Sequence, residues 1–227
     1  MDRLPDLKKQ RWSPACVCVD NKVYAIGGYN GDDHEYEDSI EMLDLSAAQP
    51  SWTILPTRMK QGRTGCAAVV DYNRDIVVTG GCDEDDGLLN SVEVFDTHNQ
   101  VWKTTHSIPP LLTAREFHSL VALKNGRILV ALGGSTNTDR ASTSVELFML
   151  DNDGNDVQWI PMPSIQVGRR GFAAFATTTT TPPGILVAGG YGNNYKTLDT
   201  MEFVQEPLQD DLVYSSQGNG NTFKKDS

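Results

Sequence analysis

The apolar positions along this chain come in short runs, with no sustained three-to-four-residue spacing of the kind an amphipathic helix needs. Four runs, VYAI, IVVT, ILVAL and ILVA, each end directly in a glycine pair: Gly27-Gly28, Gly80-Gly81, Gly133-Gly134 and Gly189-Gly190. The pairs stand 53, 53 and 56 residues apart. A run without polar alternation fits a strand covered on both faces, so each belongs inside a small sheet packed on both sides. Each is followed by an apolar-flanked glutamate: Glu41 in SIEMLDL, Glu93 in SVEVFD, Glu146 in SVELFML and Glu202 in TMEFV. A tryptophan comes next in three of the four units, at Trp52, Trp102 and Trp159, and a proline closes the stretch at Pro56, Pro109 and Pro163. An arginine then opens the next unit, giving Arg11, Arg63, Arg115 and Arg170 at spacings of 52, 52 and 55. After it comes a further short segment, read as the first strand of the unit: PACVCVD, CAAVVDY, HSLVALK and AAFATTT. Turn formers separate the first two segments of each unit: Asp20-Asn21, Asn73-Arg74-Asp75, Asn125-Gly126 and Pro182-Pro183-Gly184. The pattern predicts an all-β chain of four units with four short antiparallel strands each.

A repeat of about 50 residues with four strands per unit is the mark of a propeller blade. The unit-opening Arg, the Gly-Gly after the second strand, the Ser/Thr-x-Glu segment and the Trp, in that order, resemble a kelch repeat. The resemblance runs from residue 1 to about 204 and implies a kelch-type β-propeller of four repeats, with units starting near 11, 63, 115 and 170. The eight glycines suit strand ends that turn sharply beside a neighbouring blade, where φ > 0 and close backbone approach are both required. The three tryptophans supply large apolar plates between blades. Both sets, with the four glutamates, read as structural.

Aligning Leu4-Pro5 with Leu55-Pro56, and Arg11 with Arg63, puts residues 2–7 in the slot of a fourth strand. The last unit lacks its Trp and hence its own fourth strand, so a composite blade built from both termini is expected to close the ring and leave no open edge. The other arrangement is a piece of a larger ring, whose open edges would pair two copies; the closed form is expected as a monomer. Residues 205–227, QEPLQDDLVYSSQGNGNTFKKDS, are polar and rich in Gly, Asn and Ser, and are expected to be disordered, with only LVY able to pack.

Composition narrows the function classes. The 227 residues carry 19 Lys plus Arg against 30 Asp plus Glu, a net charge of -11, which disfavours nucleic acid and anionic membrane surfaces as partners. The first residues lack the apolar core of a secretory signal, and the four cysteines form no C-x-x-C pair, so a reducing, cytoplasmic setting is expected. His34, His98, His106 and His118 occupy unrelated repeat positions, and Cys16 and Cys18 share one strand side with no histidine spaced to complete a metal set; buried free thiols are expected. Neither a nucleophile elbow nor a phosphate-binding loop occurs. Kelch-fold enzymes include copper oxidases, sugar mutarotases and iron-dependent specifier proteins, but none of their site motifs matches here. The expectation is therefore no catalytic residue, no metal and no cofactor. A kelch-fold enzyme acting on a sugar or small metabolite is the alternative, and an actin-associated or structural assembly protein a second one.

Two acidic loops, 32–38 and 83–86, join second and third strands and read as solvated surface. The sharper candidate is the arginine series. One Arg per blade at the start of the innermost strand would ring the channel mouth. In the kelch receptor that captures acidic peptide loops for ubiquitination, arginines at this position, in R-x-G contexts, contact the ligand. Arg63-Thr64-Gly65 resembles that pattern closely, Arg115-Glu116-Phe117 and Arg170-Gly171-Phe172 less so, and Arg11-Trp12-Ser13 departs from it. The resemblance implies a protein or peptide partner held at Arg11, Arg63, Arg115 and Arg170 and at the residues just after Gly-Gly, namely Tyr29, Asn30, Cys82, Ser135 and Tyr191. It also implies a recognition subunit of a larger complex such as a ubiquitin ligase. The competing reading pairs each Arg with a repeat Glu inside the fold.

Overall fold

The computed structural model describes residues 4–85, 87–105, 108–149, 158–177 and 183–205. Asp86, His106, residues 178–181 and the tail beyond Gln205 lie outside them.

The expected strands form in order. The first sheet takes β1 (Ala15–Val19), β2 (Lys22–Ile26), β3 (Ser39–Asp44) and β4 (Trp52–Arg58), paired in sequence and antiparallel. The second takes β5 (Ala67–Val70), β6 (Ile76–Thr79), β7 (Val92–Asp96) and β8 (Val101–Trp102). The third takes β9 (Ser119–Leu123), β10 (Ile128–Leu132), β11 (Val145–Met149) and β12 (Ile160–Met162). The fourth has three strands among the described residues, β13 (Ala173–Thr177), β14 (Gly184–Ala188) and β15 (Met201–Gln205). These are the blades of a four-unit propeller. The apolar runs ending in Gly-Gly are the interior strands β2, β6, β10 and β14, as their lack of alternation demands.

The innermost strands β1, β5, β9 and β13 pack side by side in that order. Three apolar layers fill the spaces between neighbouring sheets. Tyr24, Ile40 and Leu55 of the first sheet meet Ile76, Val78 and Phe95 of the second, with Trp102 against them. Val77, Val92 and Val94 meet Leu129, Phe148 and Trp159. Val130, Val145 and Leu147 meet Ile185 and Val187. Trp102 and Trp159 are thus the expected inter-blade plates, with ring centroids 5.2 Å from Phe95 and 5.5 Å from Phe148.

The N-terminal segment departs from expectation. Residues 4–10 form no strand and add none to the fourth sheet. They dock on the first blade instead: Pro5 O accepts from the Trp52 indole at 3.1 Å, and the Lys8 and Lys9 amides donate to Glu41. Their place matches that of the segments before Arg115 and Arg169, since Trp159 donates to Pro109 O and the Leu112 and Thr113 amides donate to Glu146. Segment 4–10 is therefore the lead-in to blade 1, which draws it away from the edge of blade 4. Cys16 and Cys18 are also corrected: both are exposed, because the outer face of β1 has no blade packed on it among the described residues.

Candidate functional site

Each unit-opening arginine turns its guanidinium into its own blade. Arg63 donates to Gly80 O at 2.9 Å, to Ser91 Oγ at 3.1 Å and to Glu93 at 2.6 Å. Arg11 makes the same set with Gly27 O, Ser39 Oγ and Glu41, and Arg115 with Gly133 O, Ser144 Oγ and Glu146. In the fourth blade the residue in this place is Arg169, bonded to Gly189 O, Thr200 Oγ1 and Glu202. The Ser/Thr-x-Glu segment supplies a hydroxyl and a carboxylate two residues apart along a strand, on one face, while the first Gly of the pair supplies a carbonyl. Each Glu also takes at least one backbone N–H from the segment leading into its Arg.

The second glycine ties neighbouring blades together. Gly28 N donates to Arg63 O, Gly81 N to Arg115 O and Gly134 N to Arg169 O, at 2.8–2.9 Å. Two residues beyond each Arg, the chain crosses into the left-handed region, at Ser13, Gly65, Phe117 and Gly171 with φ of 51°, 62°, 50° and 56°. These four residues are linked in turn, Gly65 N to Ser13 O, Phe117 N to Gly65 O and Gly171 N to Phe117 O. That conformation is the reason for the Gly of R-x-G: it costs nothing extra for Gly and strains Ser13 and Phe117.

The residue between Arg and this turn bridges to the residue after Gly-Gly in every blade: Trp12 with Tyr29, Thr64 with Cys82, Glu116 with Ser135 and Arg170 with Tyr191. Four bridges in phase make the mouth. A family model for the KLHDC2/KLHL20/DRC7 Kelch-repeats domain matches residues 13–207. The chain belongs to the kelch-repeat family. It is similar to human Kelch domain-containing protein 3, 31% identical over 136 residues, covering 55% of this chain and 35% of that protein. Kelch repeat and BTB domain-containing protein 1 of camelpox virus (strain CMS) is 25% identical over 187 residues, covering 82% of this chain and 30% of its own. A putative F-box/kelch-repeat protein of Arabidopsis thaliana is 32% identical over 98 residues, covering 40% and 24%. The match thus spans about a third or less of each of these relatives.

The kelch mouth redistributes the candidate ligand residues. Arg11, Arg63 and Arg115 have essentially no side-chain surface left, so a ring of solvent-facing guanidiniums at these positions does not form. Arg170 is not their counterpart; the repeat position is Arg169, one residue earlier, and Arg170 lies at the bridge position, half-exposed. Asn30, Cys82 and Ser135 are buried. Asn30 is spent on Asp33, while Ser135 donates to Arg140 O and accepts from Arg170 at 3.3 Å. Tyr29 bonds His34 and stacks edge-on with Tyr36, and Tyr191 is open to solvent.

Sequence reasoning missed Trp12, Phe117, Arg140 and Tyr195. Trp12, 60% exposed, meets the Phe117 ring edge-on at 5.5 Å. The Arg170 guanidinium lies 6.0 Å from the Phe117 ring centre and 5.2 Å from that of Tyr195, and Arg140 lies 4.8 Å from Tyr195. Tyr195, 60% exposed with φ 55°, is presented by a turn after Gly-Gly. The acidic loops are partly tied down: Lys9 bonds Glu37 at 2.8 Å, Gln10 bonds Asp32 and Gln61 bonds Asp83. Among the described residues, no three His, Cys, Asp or Glu side chains are placed to hold a metal ion, and no helix is long and apolar enough to cross a membrane.

Proposed function

We propose that this kelch array is a protein-recognition module whose partner docks on the mouth at Trp12, Phe117, Arg170, Tyr191 and Tyr195. One observation carries the reading: Arg170 is held between the half-buried Phe117 ring and the exposed Tyr195 ring, while Arg11, Arg63, Arg115 and Arg169 are consumed inside the blades. Exposed Trp, Tyr and Arg are the side chains that dominate protein interfaces, because they bury much area for little lost freedom. A guanidinium fixed over rings is also set to meet a carboxylate in two-point fashion. The ligand that suits the site is a peptide segment offering an acidic side chain next to an apolar one. The names of relatives join kelch repeats to a BTB domain or an F-box. On that basis the chain acts as the recognition part of a larger assembly of the ubiquitin-ligase kind.

The test is capture of interacting proteins by the wild-type chain and by Arg170→Ala and Tyr195→Ala variants, with mass spectrometry and a thermal melt of each. Loss of the same partners from both variants at an unchanged melting temperature supports the reading. Undiminished capture by both overturns it.

A further inference from the structure

The three complete blades seat their tryptophans by one rule. Trp52 stands across from Leu43, and Trp102 across from Phe95. In the third blade Ile160 pairs with Leu147, which brings Trp159 opposite Phe148, its ring partner. Leu43, Phe95 and Phe148 are each two residues after the repeat glutamate. The indole N–H of Trp52 and of Trp159 then donates to the carbonyl of Pro5 and of Pro109, six residues before the unit arginine.

In the fourth blade the same place is a groove. It holds about 490 Å³ and is lined by Leu147, Met162, Pro163, Ile185, Phe203 and Val204, among others. Val204 is the residue two after Glu202, and Pro163 stands six before Arg169. The groove thus holds the counterparts of the strand partner common to all three tryptophans and of the proline that Trp52 and Trp159 bond, a bond the Trp102 indole does not make among the described residues. β15 forms its rim, bonded to β14 on one side and to no other strand among the described residues. The face of β15 away from Val204 also stands open, Phe203 at 44% and Met201 at 61%, where the matching Val94 and Val92 of β7 are buried against the third sheet.

The chain carries a segment that fits. In the complete units the Glu-to-Trp separation is 11, 9 and 13 residues; Tyr214 lies 12 after Glu202, at the end of Leu212-Val213-Tyr214. We propose that Leu212-Val213-Tyr214 adds to the free edge of β15 as the fourth strand of the last blade, with Tyr214 across from Val204 and its ring in the groove. The connection, residues 205–213, has nine residues between the paired positions, within the six to ten of the other blades. The register also specifies the backbone contact. Lys103 N, one residue past Trp102, donates to Val94 O at 2.8 Å, so Ser215 N donates to Phe203 O. An edge strand with an apolar pocket beside it accepts an added strand through main-chain bonds, and the pocket selects the side chain.

Amide hydrogen exchange across Met201–Gln205 tests this in three proteins: the full chain, a chain ending at residue 208, and Tyr214→Ala. The expected result is slowed exchange at Phe203 and Gln205 in the full chain, lost on truncation and reduced in Tyr214→Ala. Protection should return when a synthetic peptide of residues 209–217 is added to the truncated chain, and not when its tyrosine is replaced by alanine. Equal exchange in the full and truncated chains overturns the proposal. So does protection that rises with protein concentration, which would make a second copy the occupant, or protection that is lost on deleting residues 1–5 and kept on truncation at 208, which would make the N-terminus the occupant. Partner capture at the mouth is a separate readout, because Arg170 and Tyr195 are not among the groove residues.

Discussion

Arg63 donates to Glu93 at 2.6 Å with 1% and 8% of the two side chains exposed, and the same pair recurs as Arg11–Glu41, Arg115–Glu146 and Arg169–Glu202. The pairs tie the segment leading into each blade to its third strand, and the carbonyls of Arg63, Arg115 and Arg169 also take the glycine amide of the blade before. One residue therefore serves both the blade and the joint between blades.

That double use predicts opposite outcomes for two arginines. Arg63→Ala strands a buried Glu93 and leaves the Gly80 and Ser91 acceptors unmet, so it should cost about 3–5 kcal/mol. Arg170→Ala removes a half-exposed guanidinium with one long hydrogen bond and two ring contacts, and should cost about 1 kcal/mol at most. Urea unfolding of both variants measures the difference. Equal and small losses would show that the Arg63–Glu93 pair contributes nothing net.

A second buried group predicts acid sensitivity. His118 sits under the glycine pairs, its Nε2 bonded to Thr79 Oγ1 at 2.9 Å and its Nδ1 without a hydrogen-bond partner among the described residues. Burial, and then the Arg115 guanidinium, push it down to about 3 from 6.5. Between those values the unfolded chain binds a proton that the folded chain refuses, so stability falls as pH drops through that window. His118→Gln keeps a donor for Thr79 and cannot titrate. The loss of urea midpoint from pH 7 to pH 4.5 should be smaller in this variant than in wild type; an identical loss would remove His118 as a cause.

Much of this architecture is legible in the sequence because the features that repeat are the ones that bond. Gly-Gly, Ser/Thr-x-Glu and Arg keep their order since each is bonded to another in every blade, and Trp keeps its place by packing between blades 1 and 2 and between blades 2 and 3. What the sequence hides is register by one. Arg169 and Arg170 are adjacent, and the longer connection between β11 and β12 blurs the unit spacing, so only the bond to Glu202 separates the structural arginine from the exposed one. The mouth aromatics are hidden for a related reason. Phe117 occupies the place held by Gly65 and Gly171, and nothing in its sequence context signals that a left-handed turn lifts its ring to Trp12. The N-terminal segment misleads because the end of a fourth strand and the lead-in to the next blade are continuous in the chain, and Pro5 fits either.

The cysteines offer a direct check on the openness of the first blade. Cys16 and Cys18 are exposed, while Cys66 and Cys82 are buried, Cys66 with its thiol pushed up by burial. A thiol-reactive reagent at neutral pH should modify two cysteines quickly and two only on unfolding, with mass mapping placing the fast pair on β1. Slow labelling of Cys16 and Cys18 in the native protein would mean that this face is covered in solution.

The glycine pairs carry the last prediction, because the same substitution meets different neighbours in different blades. A Cβ on Gly27 would stand 2.5 Å from Arg63 O, the carbonyl bonded to Gly28 N, and φ there is +66°. Neither the strain nor the clash can relax without parting blades 1 and 2. Gly189 has the same conformation, φ +67°, but its nearest neighbour would be Leu198 O at 3.7 Å, an ordinary contact. Gly189→Ala should therefore cost only the left-handed penalty of about 1–2 kcal/mol. Gly27→Ala adds an overpacking cost of about 1–3 kcal/mol to the same penalty. Chemical denaturation of the two variants reads the gap directly. A Gly189→Ala loss as large as that of Gly27→Ala would mean that another surface covers blade 4 as Arg63 covers blade 1.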